Sequence, residues 1–317
     1  MARLPLNYRV QVGLGVPFLR VKFSTTIPRM SWHRRAFLFS FLIANIFAPW
    51  ADGQQSAPAA SGARILLLPR RIVSGERATL AVLDISGRLT PGVTVNFSNG
   101  DRLTTDETGR ALFAAPLNPG VIFASIAGRP GRVATAVLSP SEADSASMEI
   151  SSAPRVASLT DRFELFGRGF CGDADANQVT IGGQQAIVLA SSPASLVVLP
   201  PPDLEPGRAT AEVACAKREA PPFSLTLVGL ELEADSSPLK PGEHRALTVR
   251  VRGTTTKIPL EARNLAPNIA ELAGGNPLRL SSTGGTENFA RFDLVGRKSG
   301  SFLISIRLMP SMGHPTE

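Results

Sequence analysis

Between residues 54 and 317 the chain carries 22 prolines and 25 glycines, so a backbone punctuator falls on one residue in about 5.6. Proline breaks a helix by removing a hydrogen-bond donor, and each interior glycine costs a helix roughly 1 kcal/mol. Few uninterrupted stretches reach the ~11 residues of an ordinary helix. Strands of about five to eight residues fit the spacing. The apolar pattern agrees, because residues 79–83, 93–97, 247–251 and 302–306 alternate or nearly alternate, which places one face of each on a core. Turn pairs such as Asn99-Gly100, Thr108-Gly109, Gly182-Gly183 and Gly284-Gly285 fall between them. Short strands separated by regular turns predict an all-β chain built of sandwiches.

The first 53 residues follow different rules. Arg34 and Arg35 precede a 12-residue apolar run, residues 36–47, and Ala51-Asp-Gly53 supplies a small-x-small cleavage site. This is the pattern of a secretory signal. The run is short of the ~20 apolar residues that a membrane-spanning helix needs, so a removed signal is expected rather than a permanent span. Met30 opens a compact basic region before the run and is the expected true start. No cysteine lies near the cleavage site, which disfavours a lipid anchor.

Subtracting this leader, 1–53, changes the charge argument. The whole chain is net +7, but seven of its 33 basic residues and one of its 26 acids lie in the leader. What remains is 26 basic against 25 acidic side chains, net +1. Nucleic-acid binding needs a clustered basic face, and none is expected here. Pairs such as Arg70-Arg71 and Lys217-Arg218 read as solvated loop charges. The subtraction also removes Tyr8, Trp32 and Trp50, leaving ten phenylalanines as the only aromatic residues. Sugar platforms and protein hot spots lean on Trp and Tyr, so their absence counts against a carbohydrate-binding site.

Three blocks separate at polar or proline-rich seams: 64–138, 148–228 and 229–310. Each is large enough for its own core. The stretch between the first two, 139–147, is a linker by composition. The second block passes into the third without a spacer, so the second junction is expected to be the stiffer.

The middle block resembles an IPT/TIG domain, an immunoglobulin-like fold. The matching residues are Pro154-Arg-Val-Ala-Ser-Leu159, Phe163-Glu-Leu-Phe-Gly-Arg-Gly-Phe170, Asn177-Gln-Val-Thr-Ile-Gly-Gly183, Leu196-Val-Val-Leu-Pro-Pro201 and Phe223-Ser-Leu-Thr-Leu-Val228. The first block is more loosely similar to bacterial Ig-like repeats of surface proteins, through residues 92–100 and 104–113. The third is read from pattern, its ending giving two closing strands at 288–294 and 300–306. The resemblance implies tandem immunoglobulin-like β-sandwiches. It does not fix function, because such domains serve as spacers, adhesive modules and enzyme appendages alike.

Cys171 and Cys215 are the only cysteines and both follow the secretion signal, so an intradomain disulfide is the leading reading over a reactive thiol or metal pair, which lacks a nearby His. Their positions resemble the inter-sheet bridge of immunoglobulin domains, without the Trp that usually packs on it. Gly167-Arg-Gly-Phe-Cys-Gly172 matches the G-x-G-x-x-G string of dinucleotide folds. It runs into a strand instead of a phosphate-capping helix, so a tight backbone turn is the better account. Asp173, Asp175 and Asn177 occupy the first three side-chain positions of a calcium loop, but Gln178 and Gln184 stand where that loop needs Gly and a bidentate Glu. A solvated acidic loop is the leading reading, with a low-affinity extracellular calcium site as the alternative.

Catalysis has little to build on. The mature chain offers His244 and His314, neither beside a candidate nucleophile in sequence, and it contains no G-x-S-x-G, H-E-x-x-H or Walker string. Carboxylate pairs such as Asp106-Glu107, or Glu231 with Glu233, read as exposed charge rather than acid–base pairs. The expectation is therefore an exported, non-enzymatic protein without a cofactor, secreted, periplasmic or at the cell surface. Its partner would be an envelope or extracellular protein or a polysaccharide. The alternative is a carbohydrate-binding or accessory module serving a separate secreted enzyme. Contacts are expected at loops such as 272–276 and 281–286, or along an exposed strand edge.

Overall fold

The computed structural model describes residues 19–23, 63–140, 147–234, 237–309 and 312–313. The expected signal segment, Met30, His314 and most of the expected linker lie outside them. The described chain is all-β. Its buried apolar side chains form three separate main cores, one spanning Leu66 to Val137, one Met148 to Leu227 and one Val228 to Ile306.

Strand β1 (Leu19–Phe23) precedes the first sandwich in sequence. That sandwich holds β2 (Arg64–Leu67), β3 (Arg71–Val73), β4 (Arg77–Asp84), β5 (Thr94–Phe97), β6 (Arg102–Thr104), β7 (Arg110–Ala114), β8 (Gly120–Ile126) and β9 (Val133–Leu138). One sheet is ordered β2-β4-β7 and the other β3-β9-β8-β5-β6, with β3 parallel to β9. The alternation of β5 works as read, since Val95 and Phe97 point into the core while Thr94 and Asn96 are half-buried.

The second sandwich holds β10 (Glu149–Pro154), β11 (Val156–Ser158), β12 (Phe163–Arg168), β13 (Asn177–Ile181), β14 (Gln184–Gln185), β15 (Ile187–Ser192), β16 (Ser195–Leu199), β17 (Gly207–Cys215), β18 (Arg218–Glu219) and the first half of β19 (Phe223–Glu233). Its sheets run β10-β12-β16-β15 and β14-β13-β17-β19, with β11 parallel to β19. The third holds the rest of β19 with β20 (His244–Arg252), β21 (Pro259–Asn264), β22 (Ala270–Leu272), β23 (Leu278–Ser281), β24 (Phe289–Gly296) and β25 (Phe302–Leu308). There the sheets run β19-β20-β24-β22 and β1-β25-β21-β23. A short β26 (Met312–Gly313) pairs with β10.

The two junctions are built differently, and the first departs from expectation. Residues 79–83 read as a strand with one buried face, but β4 is buried on both. Ala78, Leu80 and Val82 fill the first core. Ala81 and Leu83 join Leu67, Leu189, Ala190 and Val197 in a fourth apolar cluster that belongs to both sandwiches. The sequence signal was present, because an unbroken apolar run marks two-sided burial where strict alternation marks one. A bridge between Thr79 and Ser191 then makes β4 and β15 neighbours in one sheet. At the second junction the link is covalent and continuous: β19 pairs with β17 through Phe223 to Leu227 and with β20 through Gly229 to Glu233. Both junctions are packed, the first through side chains and the second through one continuous strand.

Candidate functional site

At the first junction polar groups follow the apolar contact. Thr79 donates through Oγ1 to the Gly172 carbonyl at 2.8 Å and accepts from the Ala174 N–H at 3.1 Å. Arg110 reaches across to the Val188 carbonyl at 2.7 Å and to Asp175 at 3.2 Å. Arg70 and Arg71 are exposed, as expected of solvated charges, and also make contacts here. The Arg70 N–H donates to Glu164 at 2.7 Å and its guanidinium lies 3.3 Å from the same carboxylate. The Arg71 guanidinium lies over the Phe166 ring at 4.9 Å, a cation–π contact, and its carbonyl accepts from the Ser195 hydroxyl at 3.2 Å.

Beside this contact residues of the three sandwiches line an open cleft of about 620 Å³. Leu66 to Leu68 and residues 133–136 form one wall, residues 156–158 and 161–164 another, and Arg307 with Leu308 closes it from the third sandwich. The Asp161 carboxyl is pushed up to about 7 by burial, against the opposing pull of Arg162 and Arg307. Burial also holds the neighbouring Arg162 guanidinium below its ordinary value, and its Nη1 has no hydrogen-bond partner. Glu164 is raised by burial in spite of Arg70. Arg307 is itself fixed from behind by Glu261, 2.6 Å away. Glu261 is 2% exposed and lies directly across the strands from both Arg279 and Arg307. Burial would raise its carboxyl, but the two arginines together hold it below its usual value.

This cleft was not foreseen from the sequence. Ser158, Asp161 and Arg162 read locally as part of a polar turn, and the cleft around them is completed by residues of the other two sandwiches, 66–68 and 133–136 before them and 307–308 after them. The cross-strand placement of Glu261 between Arg279 and Arg307 was equally invisible without the register.

The residues singled out in the sequence have structural duties. Cys171 and Cys215 are joined, with Cα atoms 6.0 Å apart, and the bridge ties the segment after β12 to the end of β17 in the opposite sheet. The three glycines of the G-x-G-x-x-G string serve close approaches and one turn. A Cβ on Gly167 would lie 2.0 Å from the Glu149 carbonyl, and one on Gly172 would lie 2.0 Å from the Arg77 carbonyl. Gly169 takes the left-handed φ of 75° at the turn. Next to it, Asp173 caps a 3₁₀ turn at Ala174–Ala176 by accepting from the Asp175 N–H at 3.1 Å. Asp175 pairs with Arg110. Asn177 is buried, accepts from the Cys171 N–H at 2.9 Å and donates to Cys171, Asp173 and Ser191. Among the described residues no three His, Cys, Asp or Glu side chains converge in a metal-holding group.

Asp106 stabilises a turn by accepting from Thr108 and Arg110. Burial would raise its carboxyl, but these bonds hold it below the ordinary value. Glu231 and Glu233 form surface ion pairs with Arg252 and Arg250. His244 is exposed at the start of β20. The two glycine-rich loops lie at opposite ends of the β21–β23 pair. Asn276 bonds both backbone groups of Asn264 at one end, and Ser282 accepts from the Ile258 N–H at the other. They do not form one surface. Among the described residues no helix is long and apolar enough to cross a membrane.

Neither a scan against family models nor a search of curated proteins returns a match. Solved structures do. SGBP-B of the Bacteroides ovatus mixed-linkage glucan utilization locus, solved with a mixed-linkage heptasaccharide, is similar at 14% identity over 75% of this chain and 72% of that one, with a TM-score of 0.31. The immunoglobulin domains 1–4 of Sidekick-1 match at 11% identity over 75% and 76%, with a TM-score of 0.24. Domains 1–6 of the surface layer protein SbsC match at 12% over 77% and 38%, with a TM-score of 0.19. Scores this low carry no argument about function.

Proposed function

We propose that the chain is an exported, non-enzymatic protein whose immunoglobulin-like sandwiches act as a binding, adhesion or spacer module in the cell envelope or extracellular space. The observation that carries this reading is the way the sandwiches are coupled. A cluster of apolar residues shared by β4, β15 and β16 holds the first pair, and one strand runs through the second pair. A chain built this way holds its ends and loops at fixed separations, which is what a spacer or a multi-site binder requires. The disulfide fits an oxidising compartment outside the cytoplasm.

The cleft favours a second version of the same reading, capture of a small polar ligand such as an oligosaccharide for a partner enzyme. Its volume of about 620 Å³ lies within the ~300–1,000 Å³ of ordinary ligand sites. Cross-linking in intact producing cells, followed by affinity recovery and mass spectrometry, tests both. A defined envelope protein in the recovered material supports the assembly reading, and a retained polysaccharide supports the second. Recovery of the protein alone, as free monomer, contradicts the first.

A further inference from the structure

The three sandwiches can be compared strand for strand. In the first, the sheet ends β9-β8-β5-β6, and in the second β19-β17-β13-β14. In both, the strand that closes the sandwich lies antiparallel to the one before it, β9 beside β8 and β19 beside β17. The third sandwich has the order β1-β25-β21-β23, so the closing position is held by Leu19–Phe23, antiparallel to β25. The segment after β25 does not turn back along it, because Met312–Gly313 pairs with Ala153 and Pro154 of the second sandwich.

The register shows what this edge accepts. Leu19, Val21 and Phe23 stand opposite Ile306, Ile304 and Phe302, while Arg20 and Lys22 stand opposite Ser305 and Leu303; Phe302, Ile304 and Ile306 belong to the third core. An extended segment, apolar at alternate positions, therefore continues both the hydrogen-bond ladder and the pattern of the sheet. Left open, the same edge presents a row of unpaired backbone groups, the arrangement that recruits a strand from another chain.

We propose that the β25 edge is an acceptor for a donated strand. In the chain that carries residues 1–29 Leu19–Phe23 fills it, and a chain started at Met30 leaves it open from the outset. Once export removes residues 1–53, an extended segment of a partner protein takes the place, antiparallel to residues 302–306 and apolar at every second position. This rests on the exported reading above, through the loss of the leader.

The test uses protein recovered from producing cells, with its N-terminus read by mass spectrometry. The probe is a synthetic peptide of residues 17–25, alongside the same peptide carrying Val21→Asp. The expected result is a chain beginning near Gln54 that binds the peptide and whose 302–306 amides exchange more slowly when it is bound. The Val21→Asp peptide should bind at least about tenfold more weakly, because it would bring a charge opposite Ile304. A cleaved chain whose β25 amides are already protected, or are unmoved by the peptide, overturns the acceptor edge and leaves the exported reading standing. Protection that disappears on dilution of the cleaved chain assigns the edge to a second copy and overturns the partner strand. A chain that keeps residues 19–23 overturns both, since the edge is then filled permanently from within.

Discussion

Gly172 has no room for a side chain, because a Cβ there would lie 2.0 Å from the Arg77 carbonyl oxygen across the first junction. Gly172→Ala is expected to cost about 1–3 kcal/mol in chemical denaturation. A neutral result would show that the two backbones are not in contact. Asp161 sets a pH dependence. Its folded value of about 7 lies above the ordinary 3.8, so its contribution to stability is fully present below the ordinary value and is lost as pH rises through about 7. The thermal midpoint of the wild type, relative to Asp161→Asn, should therefore fall between pH 4 and pH 8, and parallel curves would contradict the burial. Replacing Cys171 and Cys215 together by Ala opens a loop with a sequence separation of 44, and by loop entropy should cost about 4 kcal/mol in urea. At this scale the sequence was legible where chemistry is scarce. Two cysteines leave one pairing within the chain, and glycines where a helix should begin point to a turn. It was opaque at Asp161 and Glu261, whose environments are made by strands distant in the chain.

Among elements, β4 does the most to organise the molecule. Its even positions fill one core and its odd positions meet a neighbouring sandwich, so a side chain such as Leu83 is 1% exposed although it lies outside the first core. Leu83→Ala should cost about 2–5 kcal/mol, a core-sized loss at a position outside the first core. Urea titration checks this, and a change below about 0.5 kcal/mol, the usual surface value, would place Leu83 in solvent. The alternation in β5 and β20 told which residues turn inward, because one face of each meets the core. The same rule does not carry over to β4, because its apolar run meets a core on each side. Strand β19 posed a different difficulty. Its 11 residues were divided at Val228 by pattern, and the strand continues through that position because Gly229 to Glu233 pair with β20 without leaving the line of the sheet.

For the whole molecule, the class of fold was readable from proline, glycine and alternation, while the relation between sandwiches was not, because composition speaks to a linker and not to the surfaces on either side of it. The shared apolar cluster at the first junction and the shared strand at the second are the basis for regarding the chain as one body that presents fixed surfaces to a partner. Gly253 makes the second junction as exacting as the first. Its φ is 90°, and a Cβ would lie 2.5 Å from the Leu227 carbonyl and 2.7 Å from Pro206, so Gly253→Ala should weaken the joint as well as the fold. The measurement that bears most directly on this account is backbone 15N relaxation across residues 64–309 of the protein in solution. One rotational correlation time shared by all three sandwiches is the expected result, rising to separate values in the Leu83→Ala and Gly253→Ala variants. Three independent correlation times in the wild type would contradict the rigid body from which the binding or spacer role is argued.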